Sequence, residues 1–226
     1  MKENVNFEVV KLTGGDYEEE HAFLTRSRKA LRRKTFFYPY TDEQLKAVME
    51  GGEAFGVRDR GKLVGTFNID LDEEYAKELA AGIRKSTNGA VDVDACYEAS
   101  GLMVDGAYRG KGLGKTLMKA VTERANELKI DLCGVVHIEN LASLNTFLGQ
   151  NFVIAGLFEL NFRYIFLYLL KKFEKSFEFA QECDRINVRK SDAVKQALAQ
   201  GMLGTALDGD EIVFSRLSRI WLKIKQ

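Results

Sequence analysis

The chain has little of what marks several broad classes of protein. Lys+Arg and Asp+Glu both total 33, so the net charge is zero, and nothing in that balance points to a nucleic acid or an anionic membrane as partner. Cys96, Cys133 and Cys183 are odd in number and far apart in sequence. That spacing argues against a disulfide framework or a zinc knuckle, and no metal site is expected. Scattered thiols fit a reducing compartment, so the expected location is cytoplasmic. The opening Met-Lys-Glu-Asn-Val has no signal-peptide apolar region. The most apolar run, Tyr164 to Leu170, is too short to span a bilayer and reads as a buried strand. No internal repeat or low-complexity segment appears. Apolar residues are not scarce: 46% of the 226 residues are hydrophobic and 11% aromatic, enough for a sizeable core.

Patterning predicts an α/β chain in two parts: a main domain over 1–170 and an appendage over 171–226. A first strand covers Phe7 to Leu12. Asp16 caps a helix running to about Leu31, whose basic end (Arg26, Arg28, Lys29, Arg32, Arg33, Lys34) suits the negative pole of the helix dipole. An aromatic loop, Phe36 to Tyr40, surrounds the single proline. Thr41-Asp-Glu-Gln44 is a capping box, and Gly51-Gly52 stops the helix it starts. A hairpin turns at Arg60-Gly61, and residues 72–86 form an inserted helix before a polar Ser-Thr-Asn-Gly turn. Leu132 to Val136 is a buried strand, Asn140 to Gln150 a short helix, and Phe152 to Leu157 and Arg163 to Leu170 complete a sheet. In the appendage, Phe173, Phe177, Ala180 and Cys183 suggest a helix. Ser191 caps a second one ending at Gly201, and Glu211 to Phe214 reads as a strand.

The densest information lies between Tyr97 and Val121. Tyr97 to Val104 reads as a strand, Asp105 to Gly114 as a glycine-rich turn, and the residues after it as a helix with Leu117, Met118, Val121, Ala125 and Leu128 on one face. Strand, glycine turn and helix make a phosphate cradle, because bare backbone N–H groups meet an anion at the positive end of a helix dipole. A Walker A loop needs glycine five positions before Gly114, where Arg109 stands. A Rossmann fingerprint needs a different glycine spacing from Gly110-Lys-Gly112-Leu-Gly114.

Arg109-Gly-Lys-Gly112-Leu-Gly114 fits Arg/Gln-x-x-Gly-x-Gly/Ala, and in this it resembles the acyl-coenzyme A signature of the GNAT superfamily of N-acetyltransferases. Asn140-Leu-Ala-Ser143-Leu-Asn-Thr-Phe147-Leu-Gly-Gln-Asn151-Phe152 is similar to the family's second coenzyme pattern. The resemblance covers about residues 7–170. It implies the GNAT fold: a mixed, mostly antiparallel sheet with a splayed pair of strands flanked by helices, here followed by an α/β appendage. It implies acetyl-CoA as co-substrate, with the backbone of Leu102, Met103 and Val104 along the pantetheine arm. The pyrophosphate would sit on Arg109, Gly110, Lys111, Gly112, Leu113, Gly114 and Lys115. For Lys111 and Lys115 a solvated side chain is the alternative. Asn140, Ser143 and Phe147 would line the coenzyme, with Asn140 equally readable as a plain helix cap.

The implied reaction is direct acyl transfer to a primary amine of a small molecule or a protein. The ammonium must first lose a proton, and Glu98 is the candidate base, with an edge carboxylate as the alternative. Counting by twos puts Glu98 on one strand face with Ser100, Leu102 and Val104. His137 is a weaker candidate, and His21 reads as structural. The tyrosine that often protonates the leaving thiolate falls at position 147, where this chain has Phe147. Ser143, Tyr164 and Tyr168 are the candidate replacements, and Ser100 is counted with Glu98 and Tyr164 among the catalytic residues. Asn151 replaces a usual glycine and tolerates a left-handed conformation. Phe36, Phe37, Tyr38 and Tyr40, with Asp42 and Glu43 and residues 158–164, would form the acceptor site, or serve as a core lid. The vacancy at 147 leaves open a coenzyme-binding module without turnover, and the appendage is a candidate dimerisation element.

Overall fold

The computed structural model describes residues 7–161, 164–173 and 175–222. The readings made at the N-terminal five residues and at Arg163 lie outside them. The chain forms two compact units: Met1–Leu71 with Ala99–Glu123, and Asp72–Glu98 with Arg124–Gln226.

In the first unit, β1 (Glu8–Leu12) pairs antiparallel with β2 (Glu53–Asp59), with Val10 opposite Gly56. β2 pairs antiparallel with β3 (Lys62–Asp70), with Phe55 opposite Phe67. Their turn carries Arg60 at φ 50° and Gly61 at φ 79°, the two left-handed residues that match the twist of a tight hairpin. β3 neighbours β4 (Tyr97–Val104), whose residues from Ala99 belong to this unit. Two helices pack here, α1 (Tyr17–Lys29) and α2 (Asp42–Gly51). Their apolar faces meet the strands in a core of Leu12, Phe23, Leu24, Phe37, Leu45, Met49, Ala54, Leu63 and Met103.

The predicted box at Thr41 forms in full: Thr41 Oγ1 accepts from Gln44 N at 3.2 Å, and Gln44 Oε1 accepts from Thr41 N at 2.9 Å. Asp16 behaves differently from its prediction. It occupies the N-cap position of α1 without a side-chain cap, because its carboxylate turns back to Thr13 N at 2.9 Å and to Arg58 Nη2 at 2.9 Å. A paired guanidinium outcompetes a helix amide for that oxygen.

The second unit holds α3 (Glu73–Ser86), the first two residues of β4, β5 (Leu132–His137), α5 (Leu141–Leu148), β6 (Val153–Leu160) and β7 (Tyr164–Lys171). β4 pairs parallel with β5 at Tyr97↔Leu132 and Glu98↔Cys133. β7 lies antiparallel between β5 and β6. The chain then adds β8 (Lys175–Asn187), α6 (Ser191–Ala199), β9 (Met202–Asp208) and β10 (Glu211–Leu222). β9 joins β6 at Ile154↔Gly204, and β10 pairs with both β9 and β8, so these residues prolong the sheet of the second unit.

Two readings of this stretch are corrected. The helix expected at Phe173 to Cys183 is strand β8: Phe177 and Phe179 are half-buried, while Ser176, Glu178 and Ala180 are exposed, a period of two. Ser191 is the first residue of α6, and Lys190 takes the cap position. β9 is an addition to the predicted elements.

Glu20 of α1 is the more deeply buried of two buried acids among the described residues of the first unit, 0% exposed against 6% for Glu53. One carboxyl oxygen accepts from Thr66 Oγ1 at 2.5 Å and Asn68 Nδ2 at 2.9 Å, and the other has no partner. Burial raises its pKa, with the two hydrogen bonds opposing and Asp16 adding to the rise. An acid whose folded-state pKa exceeds its unfolded one binds more protons when folded. Its contribution is therefore fully present below the unfolded pKa and is lost as pH rises through the folded pKa. As pH rises above the ordinary glutamate range, wild type should lose stability that Glu20→Gln retains, as read by denaturant unfolding. Parallel pH curves for the two proteins would contradict this.

Candidate active site

The turn between β4 and α4 (Leu113–Leu128) is built to leave its amides open. Asp105 anchors its start: its N–H donates to Val64 O at 2.9 Å, and its Oδ1 accepts from Ala107 N at 3.0 Å. Tyr108 anchors its middle, its hydroxyl donating to Asp59 Oδ2 at 2.5 Å, a bond that raises the phenol's pKa and keeps it a donor. The ammonium of Lys111 lies 4.8 Å above the Tyr108 ring. Arg109 folds the turn back on the strand, Nε donating to Val104 O at 3.2 Å.

Gly110 and Gly112 adopt φ of 74° and 88°, which an L side chain reaches only at a cost of about 1–2 kcal/mol. Gly112 O accepts from Lys115 N at 3.0 Å and Thr116 N at 3.1 Å, which starts the helix. The backbone amides of residues 109–114 have no carbonyl partner among the described residues. Arg109 to Gly112 are exposed, and a Cβ built at Gly110, Gly112 or Gly114 would meet nothing within 4 Å. The first turn of α4 has no acidic residue. Open amides, open space and an unopposed helix dipole define an anion site. Leu113, Leu117, Met118 and Val121 bury the other side of the helix, with Leu117 against Gly65 of β3.

The aromatic loop reaches the same strand. Tyr40 Oη and Ser100 Oγ are 2.5 Å apart. Gly101 has φ 71°, and a Cβ there would lie 2.8 Å from Tyr40 Oη and 3.0 Å from its ring. This left-handed residue lies inside the strand, between the buried Ala99 and Met103, while Glu98, Ser100, Leu102 and Val104 are half-buried. The other expected acceptor residues separate: Phe37 is in the core, and Tyr38 is 74% exposed.

In the second unit, Glu98 is half-buried opposite Cys133. Asn140 caps α5, Oδ1 accepting from Ser143 N at 3.3 Å. Asn151 takes φ 62°, the left-handed conformation its sequence position called for. Phe147 is a core residue: its ring packs edge-to-face on Phe152 at 4.9 Å and so close to Gly134 that a Cβ there would come within 2.2 Å. Tyr164 stands half-buried at the start of β7. His137 Nδ1 accepts from Glu139 N at 3.2 Å, and its ring lies edge-on to Phe166.

Tyr168 is set deeper. Its hydroxyl lies where a Cβ of Gly82 would be within 2.8 Å, and its ring stacks on Phe158 at 4.9 Å. Burial, then the neighbouring Cys133, Cys96, Glu78 and Glu98, push its pKa up to about 12. Burial, with Cys96 and Glu98 alongside, also raises the Cys133 thiol. Sequence reasoning missed three features: the Tyr108–Asp59 bond, the left-handed Gly101 and this thiol–phenol cluster. Only Gly101 carried a signal, as a glycine inside a strand.

The family model for the acetyltransferase (GNAT) family matches residues 19–152, more than half of the chain. The chain belongs to the GNAT acetyltransferase family and has its mixed α/β fold; enzymes of this family use acetyl-CoA as co-substrate. Among solved structures it is similar to a polyamine N-acetyltransferase of Drosophila melanogaster, at 16% identity and TM-score 0.57 over 74% of this chain and 100% of that one. It is similar to an N-acetyltransferase of Staphylococcus aureus Mu50, at 13% identity and TM-score 0.56 over 74% and 98%. It is also similar to Arabidopsis thaliana NAA60, at 16% identity and TM-score 0.53 over 74% and 97%. No curated protein matches. Among the described residues no His, Cys, Asp and Glu group is placed to hold a metal, and no helix is long and apolar enough to cross a membrane.

Gly101 and Gly110 share a positive φ but not their surroundings. Gly110→Ala should therefore cost about 1–2 kcal/mol, from strain alone, and Gly101→Ala more than that, from strain plus the clash with Tyr40. Urea unfolding of the two variants checks the order.

Proposed function

We propose that the protein moves the acetyl group of acetyl-CoA to a primary amine by direct attack. The observation that supports this most is the run of unpartnered amides at residues 109–114, beside the end of β4 and at the head of α4. In this reading the pyrophosphate rests on those amides, with Lys111 and Lys115 adding charge. The backbone of Leu102, Met103 and Val104 pairs with the pantetheine amides, and Asn140 and Ser143 belong to the coenzyme side. Glu98 takes the proton of the ammonium, so that the nitrogen lone pair can attack the thioester carbonyl. The intermediate collapses with loss of the thiolate, and Ser100, on β4, is a hydroxyl of the proton relay for that step.

The acceptor is a primary amine, with Tyr38 and Tyr40 as the aromatic side of its site and Phe37 in the core behind them. A structural relative from Drosophila forms N-acetylagmatine, and another, from Escherichia coli, acetylates an alanine of ribosomal protein S18. Agmatine and a peptide with an N-terminal alanine are therefore the first probes.

Acetyl-CoA at about 100 times its Kd should stabilise the protein by about 2.7 kcal/mol. Glu98→Gln should keep that stabilisation and lose about 100-fold in release of coenzyme A thiol with an accepted amine. A melting temperature indifferent to acetyl-CoA would end the proposal, and an active Glu98→Gln would remove the base.

A further inference from the structure

Transfer to an amine requires a proton for the departing sulfur, and the position at which the family resemblance expects a tyrosine holds Phe147, buried against Gly134 and Phe152. Tyr168 holds its proton too tightly, near pKa 12, to match a thiolate. A different phenol stands beside the strand assigned to the coenzyme. Tyr40 Oη is 2.5 Å from Ser100 Oγ, and both side chains are half-buried. The ring is fixed by the core cluster that includes Phe37 and Met103, and by Gly101, whose missing Cβ makes room for it.

Length decides what this pair faces. Arg109 Nε meets Val104 O, so the turn that carries the 109–114 amides is tied back to the last residue of β4. The pantetheine arm from phosphate to sulfur has about twelve chain atoms, equal to about four residues of extended backbone. Laid back along β4 from Val104, with its two amides in strand-like pairing, it ends level with Ser100.

We propose that Tyr40 is the catalytic acid of the transfer, its phenol held by Ser100 and donating its proton to the coenzyme A sulfur. This rests on the acetyl-CoA reading above. As the C–N bond forms, the C–S bond breaks and its electron pair goes to sulfur. Tyr40 gives its proton to that sulfur, Ser100 gives its own to the Tyr40 oxygen, and Ser100 recovers one from the attacked nitrogen. The net result is one proton moved from nitrogen to sulfur, with no outside acid consumed.

The contact is testable without knowing the acceptor, by calorimetric titration of coenzyme A and desulfo-coenzyme A. A phenol that donates to sulfur favours the thiolate, so wild type should prefer coenzyme A by about tenfold near pH 9 and by less near pH 7, where the free thiol is mostly protonated. Tyr40→Phe keeps the ring; it should bind desulfo-coenzyme A as wild type does and lose the preference for sulfur. Ser100→Ala should lower that preference in part, and it decides the matter if Tyr40→Phe melts early. A preference retained in both variants, or absent from wild type, overturns the role of Tyr40. Failure of wild type to bind either compound overturns the coenzyme reading itself, and with it this proposal.

Discussion

The β4–α4 turn must present six consecutive amides outward and still have one conformation. A free glycine-rich loop would do the first and not the second, since glycine surrenders the most backbone entropy when it is ordered. The chain resolves this by anchoring everything around the glycines. Asp105 ties the entry to β3, Tyr108 ties the middle to Asp59 at the end of β2, Arg109 ties the return to Val104, and buried Leu113 and Leu117 seat the helix. The glycines supply only the positive φ and the bare surface. An anion arriving there finds the donors already aligned, so little ordering remains to oppose binding.

Strand β4 carries a second constraint. Between the buried Ala99 and Met103 the strand passes through the left-handed Gly101, and the phenol of Tyr40 packs on the bare Cα. Any side chain at 101 would both strain the backbone and expel that phenol. The hydroxyl pair and the left-handed glycine are thus one feature, since the Tyr40–Ser100 bond needs the room that only glycine leaves.

How far such features were legible depends on whether their causes are local. The capping box at Thr41, the left-handed pair at Arg60-Gly61 and the spacing of Arg109 to Gly114 are set within a few residues, and the structure contains each of them. Asp16 was misread because its carboxylate answers to Arg58, 42 residues away. Phe173, Phe177 and Ala180 fit helical spacing as well as strand spacing. Pairing with β10 decided for a strand, and that partner lies far along the chain. Gly101 was visible as a glycine inside a strand, but the phenol it accommodates comes from 61 residues earlier and leaves no mark on the strand's own pattern.

Phe147 shows why a motif residue has to be weighed with its packing. Its ring edge occupies the volume that a Cβ at position 134 would need, and Gly134 supplies that volume from the middle of β5. The two residues are a matched pair in the core of the second unit, completed by Phe152. A phenyl ring in that setting is committed to packing, and it has no proton to give. Tyr168 is half-buried too, but its ring is packed on Gly82, Gly156 and Phe158, and burial with nearby negative charge pushes its pKa up to about 12. Proton transfer at neutral pH needs a donor that is fixed in place but only partly removed from water. Among the tyrosines discussed, Tyr40 meets that condition with a bonded hydroxyl partner on β4.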